Sequence, residues 1–532
     1  MKELDYYAKL LELGKISRRE FIGRAMALGA TTALATTMAG KALRAATPKQ
    51  GGTLRIAIAE GTQADSLDPA TIGTNYELFV GYGMRNHLTE ISSTDELVPE
   101  LCESWDASDD AVTWTFKLRK GIEFHNGKTM DADDVVASFN HHRGEDSKSA
   151  AKPLLEPIVE IKADGKDTVV FTLAGGNADF PYIASDYHIP IMPAKNGGVD
   201  WESGTGTGGY ILESYDPNVR ATLKRNPNYW KEGRAHFDGS EVLTVIDSAA
   251  RTNALITGEV DVISRVELKT AHLLELNPDV RLEETNGGAH YTVPMRTDTP
   301  PFDDNNVRMA LKLSLDRDAL LRAVLRGHGV LGNDHPIGLA YRYHATEDEL
   351  PQRVYDPDKA KWHLKQAGLS SLKVDLSAAD AAFAGGVDAA VLYKEHAAKA
   401  GIDITVIREP NDGYWDAVWM QKPWSMSYWD GRPTEDLMFL TPYAAGAPWN
   451  ETFWKHPRFN ELLVAARGEL DQAKRREMYV EMQRITRDEG GAVVPMFNNH
   501  VFAMSTKMQH DDEMAANWTL DGNKGIERWW FA

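Results

Sequence analysis

Polar and apolar side chains alternate along Thr53-Leu54-Arg55-Ile56-Ala57-Ile58, the two-residue period of a half-buried strand. Trp114, Phe116 and Leu118 repeat that alternation before the turn signal Arg119-Lys120-Gly121, and Val169-Val170-Phe171-Thr172-Leu173 reads as another strand. Helical spacing interrupts these runs. Asp131 is placed to cap a helix with Asp133 and Asp134 at the positive end of its dipole and Val135, Val136 and Phe139 on one face. Val307, Ala310, Leu311 and Ser314 share a second helical face. Asp316 then caps a helix through Leu320, Leu321, Val324 and Leu325 to Gly327. Asp356-Pro357-Asp358 gives an N-cap, a proline at the first helical position and an acid in the first turn, ending at Ala367-Gly368. Such interleaving of the two element types predicts an α/β fold. No solenoid period of about 20 to 50 residues and no sustained heptads are present.

The N-terminus has a different pattern. Ser17-Arg18-Arg19-Glu20-Phe21-Ile22 precedes a small-residue apolar run from Ala25 to Gly40 and then Lys41-Ala42-Leu43-Arg44-Ala45-Ala46. The run, diluted by Thr and Gly, is shorter than the roughly 20 apolar residues that span a bilayer. Residues 1–46 resemble a twin-arginine signal peptide, with Ser17, Arg18, Arg19 and Phe21 as the recognised positions and cleavage expected between 39 and 46. The resemblance implies export through the twin-arginine translocase to the periplasm.

The whole chain has 532 residues, about three or four domain-sized units. Its net charge of −20, with no basic stripe, argues against a nucleic-acid partner, because phosphate binding draws on clustered cations. Cys102 is the only cysteine, which excludes an intramolecular disulfide and thiolate metal clusters. There is no P-loop, no GxSxG elbow and no HExxH. His141-His142 are adjacent and would point to opposite sides of a strand, a poor chelate. No catalytic residue, metal ligand or cofactor site is therefore expected.

Leu97-Val98-Pro99-Glu100-Leu101-Cys102-Glu103-Ser104-Trp105, then Trp114 through Lys128, then Asp131-Ala132-Asp133-Asp134-Val135, resemble the signature of the extracellular solute-binding proteins of family 5, the dipeptide, oligopeptide and nickel-binding type. Gly51-Gly52-Thr53-Leu54, Leu67-Asp68-Pro69, Gly206-Thr207-Gly208-Gly209-Tyr210, Asn226-Pro227-Asn228-Tyr229-Trp230, Val307-Arg308-Met309-Ala310-Leu311 with Asp316-Arg317, and Tyr355-Asp356-Pro357 follow in the family's order. Asn126 stands where Asp is usual, and Gly209 where Pro is common. Most of these residues read as structural: His125 as a hydrogen-bonded turn residue, Asp316-Arg317 as a cap with a surface or interface ion pair, Tyr229-Trp230 as core.

The resemblance implies a two-lobed periplasmic binding protein of type II, cluster C-like, with an extra subdomain inserted in the first lobe. Lobe I would take residues 47–90, 209–292 and 496–532, the inserted subdomain 91–208, and lobe II 293–495. Chain crossings near Val293-Pro294 and Val494-Pro495 would form the hinge, about which such receptors close on a ligand.

The densest aromatic stretch lies between Tyr414 and Trp454. Half of these rings are expected in the core, and the rest as apolar walls with a polar edge, the usual pocket lining. Trp424 to Thr434 resembles the family segment whose aspartate pairs with a peptide ammonium, a role that falls on Asp430. Trp424, Trp429, Tyr443 and Trp449 are the candidate walls. Arg432 is a candidate for a ligand carboxylate or phosphate, with Glu435 or Asp436 as competing partners. Tyr76 is a candidate from the first lobe; Arg342 and His344 border the cleft or pair on the surface. The function implied is the substrate-binding component of an ABC importer, a monomer that delivers a peptide or peptide-like solute to permease subunits and their ATPase. An opine, oligosaccharide or metal chelate is the alternative ligand, and a twin-arginine-exported enzyme the alternative class.

Overall fold

A computed structural model describes residues 48–532; the twin-arginine motif lies outside the described residues. Three bodies, each with its own sheet, are built from chain segments far apart in sequence. The first centres on a seven-stranded sheet in the order Tyr210–Asp216, Arg220–Arg225, Gly239–Thr244, Thr53–Ile58, Val262–Ile263, His500–Ser505 and Val280–Thr285. Thr53–Ile58 runs parallel to both its neighbours. It is covered on both faces rather than half-buried: Leu54, Ile56 and Ile58 pack with the helix Asn75–Met84, whereas Ala57 joins Leu255, Val260 and Ile263 on the other side. Parallel strands placed centrally are buried this way because helices cover both faces.

The inserted subdomain holds an antiparallel four-stranded sheet, ordered Cys102–Ala107, Thr113–Leu118, Thr168–Leu173 and Ile158–Ala163. Its inner face carries the expected alternation, with Trp114, Phe116 and Leu118 buried against Phe139, Phe171 and Phe180. The helix Ala132–His141 starts at Asp131, whose N–H donates to Asp134 Oδ2 at 3.0 Å. The Phe124-His125-Asn126-Gly127 turn docks on the motif at Gly206: His125 Nδ1 accepts from Gly206 N, and Nε2–H donates to the Gly208 carbonyl at 3.0 Å. A Cβ at Gly206 would stand 2.2 Å from the Met84 carbonyl oxygen, so this crossing requires glycine. Tyr229 and Trp230 are partly buried and bridge the first two cores, one packed on each.

The second lobe combines a four-stranded antiparallel sheet, Gly329–Leu331, Ala492–Asn498, His290–Pro294 and Ser427–Trp429, with the parallel pair Leu372–Ala378 and Ile402–Arg408. The helices Asn305–Leu313, Arg317–Val324 and Pro357–Gln366 lie where spacing and caps predict them. Asp316 caps through Ala319 N, but Arg317 makes no surface pair. Its Nη2 donates to Asp334 at 2.6 Å deep in the lobe, and Arg353 approaches the same carboxylate at 2.7 Å.

The crossings between lobes lie elsewhere than expected. Val293 and Pro294 face Val493 and Ala492 in paired strands wholly inside the second lobe. The chain passes between lobes at residues 286–289 and at Asn499, in the gaps between Val280–Thr285 and His290–Pro294 and between Ala492–Asn498 and His500–Ser505. The boundary is set by where strand pairing ends.

Candidate functional site

The three bodies meet around a cleft with two compartments. The inner one is a cavity of about 150 Å³ bounded by Ser185, Asp186 and Tyr187 of the subdomain, Tyr341, Arg342 and Arg432 of lobe II, and Asn517 and Trp518 of lobe I. The outer one is a groove of about 1310 Å³ between the lobes. Tyr187, Ala289, Asp430, His500 and Trp518 line both, so these five residues form the neck.

Asp430 reaches the neck because it follows the strand Ser427–Trp429, which pairs with His290–Pro294 beside the crossing. Alternation along this strand turns Tyr428 and Asp430 outward and Trp429 inward. The Asp430 carboxylate is exposed and has no hydrogen-bond or ion-pair partner among the described residues. Gly431 and Gly288 touch at the floor: a Cβ on either would stand 3.2 Å from the other's Cα, so two glycines let this loop lie against the crossing. Trp429 lies behind Asp430, with Trp419 and Trp449 at ring distances of 6.2 and 6.1 Å and the Arg432 guanidinium over its ring at 5.7 Å.

Arg432 lines the inner cavity and forms no ion pair with either acid weighed from the sequence. Glu435 accepts from Tyr343 N at 2.6 Å, and Asp436 is held by Arg467 at 3.1 Å. Among the described residues the guanidinium donates hydrogen bonds to the carbonyls of Asp430 and Gly431, at 3.4 Å. Arg342 borders the cleft, donating to Tyr182 Oη at 3.2 Å; His344 turns away to the Ile337 carbonyl at 2.8 Å.

None of the four expected wall residues lines either compartment, nor does Tyr76; Trp429 is 6% exposed and turned into lobe II. Trp424 is 1% exposed, in the lobe II core between Phe302 and Tyr393. Tyr443 is 2% exposed and packs on Phe439 among the helices Pro457–Gly468 and Gln472–Glu489. Tyr76 is fully buried in lobe I, stacked on Tyr215 and donating to the Asp216 carbonyl at 3.0 Å. Each fills volume in a core, where the area an aromatic ring buries outweighs its polar edge. Trp449 is 51% exposed but lies outside both compartments, buttressing Trp429. Beside Tyr76, its neighbours Thr74 and Asn75 do line the groove.

Tyr187, His500 and Trp518 are neck residues that the sequence did not single out. Tyr187 and Trp518 meet edge to face at 5.5 Å across the subdomain and lobe I. Burial lowers the His500 pKa to about 4, which leaves a neutral ring at neutral pH. In the inner cavity, burial raises Glu435 to about 7 against the opposing Tyr343 N–H.

Glu90, Glu100 and Glu527 come together elsewhere with metal-like spacing. The Lys231 and Lys524 ammonium groups stand among them at 2.6 to 3.0 Å, so the cluster already has its cations. It ties the subdomain to the C-terminal segment.

Two α/β lobes joined by two crossings, with a cleft between them that carries unspent charges on an aromatic backing, define a ligand-binding receptor of the two-lobed type. The profile of the bacterial extracellular solute-binding proteins, family 5, Middle, matches residues 96–451. The chain belongs to that family. The di/tripeptide-binding protein 1 of Pseudomonas aeruginosa is 27% identical over 523 residues, covering 90% of this chain and 95% of the relative. Among solved structures, HbpA2 from Haemophilus parasuis superposes with a TM-score of 0.77 at 21% identity, covering 88% of this chain and 99% of the other. The periplasmic binding protein DppA from Helicobacter pylori, in complex with the peptide STSA, gives 0.67 at 22% identity, covering 91% and 98%.

Proposed function

We propose that this chain is the substrate-binding component of an ABC importer and captures peptides by their free amino terminus in the interlobe cleft. The observation that carries this reading is Asp430: a carboxylate without a partner among the described residues, at the neck between a small inner cavity and a larger groove. A ligand ammonium would complete it, with the Trp429 ring and the Arg432 guanidinium as backing. The 150 Å³ inner cavity is below the 300–1,000 Å³ usual for ligand sites, and suits one side chain; the groove takes the rest of the chain. The di/tripeptide-binding relative and the peptide-bound neighbour agree with this ligand class.

Delivery then requires permease subunits with their ATPase. Export through the twin-arginine translocase, on the strength of Ser17, Arg18, Arg19 and Phe21, would place the receptor in the periplasm as a monomer. No helix among the described residues is long and apolar enough to cross a membrane.

Titration calorimetry with di- and tripeptide libraries tests the assignment. Removing one partner of an enclosed ion pair costs about 3–5 kcal/mol, roughly two to three and a half decades in affinity. Asp430→Asn should therefore weaken every free-amine peptide by about that factor and leave N-acetylated peptides equally poor ligands of both forms. Unchanged affinity in the variant would sink the ammonium role.

A further inference from the structure

One stretch of the sequence takes no part in the site so far described: Ala378-Ala379-Asp380-Ala381-Ala382-Phe383-Ala384-Gly385-Gly386, the alanine-rich link between the strand Leu372–Ala378 and the helix Gly386–Ala398. Small side chains give a loop little to bury, yet this one is pinned. Ala381 N donates to Asn411 Oδ1 at 2.9 Å, and Gly386 N to the Phe383 carbonyl at 2.9 Å. A Cβ at Gly386 would stand 2.6 Å from the Ala379 carbonyl oxygen, so the return of the loop on itself requires glycine. The loop leaves the carboxyl end of a parallel strand pair, the end at which open α/β sheets bind their ligands.

Residues 381–385 all line the outer groove. The Phe383 ring is stacked on Tyr291, with centroids 4.0 Å apart and planes at 15°. Val324, Val391, Leu392 and Tyr428 extend the same wall, and Val391 and Tyr428 are exposed. Contiguous apolar surface left open to a groove is a mark of a binding site. Asp388 and Glu395 edge this wall one helical turn before and after Val391 and Leu392. Across the groove lobe I presents Glu60, Asn75, Arg265, Glu267 and Lys269, so the two walls differ in character. One side chain of lobe I does reach the apolar side: Leu268 lines the groove and packs on the cores of both lobes.

The apolar wall stands at a fixed interval from Asp430. Tyr428 precedes Asp430 by two residues and faces outward with it, about 7 Å away along the strand Ser427–Trp429. Tyr428 pairs with Tyr291 on the neighbouring strand, and Tyr291 carries Phe383. An extended peptide advances about 3.3–3.6 Å per residue, so with its ammonium at Asp430 its third residue comes level with the Tyr428–Tyr291 pair. We propose that residues 381–385, with Tyr291 and Tyr428, form an apolar subsite for the side chain of the ligand's third residue. The receptor thereby selects peptides of three or more residues with an aliphatic or aromatic side chain at that position. The inference rests on the peptide reading above and names the ligand class within it. Discrimination here comes from burying a ligand side chain, and the acids at the edge of the wall repel an acidic one.

Calorimetry on the full chain compares tetrapeptides that differ only at the third residue, phenylalanine, leucine, serine, aspartate or lysine among alanines, beside the dipeptide of two alanines. The wild type should bind the phenylalanine and leucine peptides at least about tenfold tighter than the serine peptide, the worth of burying a whole apolar side chain, with the aspartate peptide weakest. Ala384→Asp puts a carboxylate on an exposed position of the wall. It should bring the phenylalanine-to-serine ratio to within about twofold and make the lysine peptide the tightest of the series. Tyr428→Ser, also at an exposed position, should lower the same ratio without the gain for lysine. Unchanged melting of the ligand-free variants shows that neither effect is misfolding. A wild type indifferent to the third residue, or a phenylalanine preference that survives both substitutions, overturns the proposal. The dipeptide separates the two readings. If it binds as tightly as every tetrapeptide, and Asp430→Asn abolishes that binding, the peptide reading stands without the apolar subsite; if the wild type binds none of the peptides, both fall.

Discussion

At the residue scale, local sequence distinguishes the direction of a side chain better than its role. Aromatic density between Tyr414 and Trp454 marks the cleft region, but composition alone treats Trp424, Trp429 and Tyr443 alike. Strand alternation picks out their neighbours instead: Tyr428 and Asp430 face out on Ser427–Trp429, with Trp429 turned in and buried like the other two. Trp424 has no such neighbour signal and is spent on the core with Tyr393. Glu435 shows what only packing reveals. A sequence places it beside Arg432, yet it is buried against Tyr343 N with a pKa pushed up to about 7. Because its folded pKa lies above the unfolded value, the folded state holds the proton between about pH 4 and 7, and stability falls as pH rises through that window. Glu435→Gln keeps the acceptor and removes the charge. It should raise the melting temperature at pH 8, where the cost is fully expressed at an order of 2–3 kcal/mol, and bring little gain at pH 4. An equal gain at both pH values in a calorimetric series would contradict the shift.

At the element scale, caps and periodicity are legible because they are local: Asp131, Asp316 and Asp356 each begin a helix where the sequence places it. Where one body ends and the next begins is not local. The crossings sit at residues 286–289 and Asn499 because Val293 pairs with Val493, a contact between residues 200 positions apart. The two crossing segments nearly touch. A Cβ at Gly287 would stand 2.2 Å from the Asn498 carbonyl oxygen, backbone against backbone, with no side chain able to yield. Asn498 N donates to the Ala289 carbonyl at 3.1 Å alongside. Gly287→Ala should force the segments apart, costing about 1–3 kcal/mol in urea denaturation and weakening peptide binding because the lobes no longer meet in register. Gly175→Ala, where the added methyl meets nothing within 4 Å, is the control. Identical behaviour of the two variants would mean that the crossing tolerates separation.

At the scale of the whole molecule, the contacts between lobes away from the crossings include a buried ion pair, beside the Arg342–Tyr182 and His328–Glu284 contacts. Asp179 of the subdomain holds Arg475 of the helix Gln472–Glu489 through two bonds of 2.6 Å, and Ala178 N donates to the Arg467 carbonyl at 2.7 Å beside it. Each body has its own apolar core, so losing this pair need not unfold any of them. In the joined state the pair is desolvated, and leaving one charge behind without its partner costs about 3–5 kcal/mol; in the separated state water receives that charge. Arg475 Nε also donates to the Ala466 carbonyl at 2.9 Å inside lobe II, so Arg475→Met costs some stability there, and its further penalty on the joined arrangement shifts the population toward separated lobes. Binding that needs joined lobes is weakened by the fraction still competent, so peptide affinity should fall by at least about tenfold, while the midpoint of urea unfolding falls only by what the lost Ala466 bond accounts for. Small-angle scattering of the ligand-free variant should show a larger radius of gyration, reversed by saturating peptide. Adding Asp179→Asn removes the stranded charge and should restore part of both the affinity and the compact form. If Arg475→Met instead lowers stability with scattering unchanged, the pair holds the fold together and not the lobes.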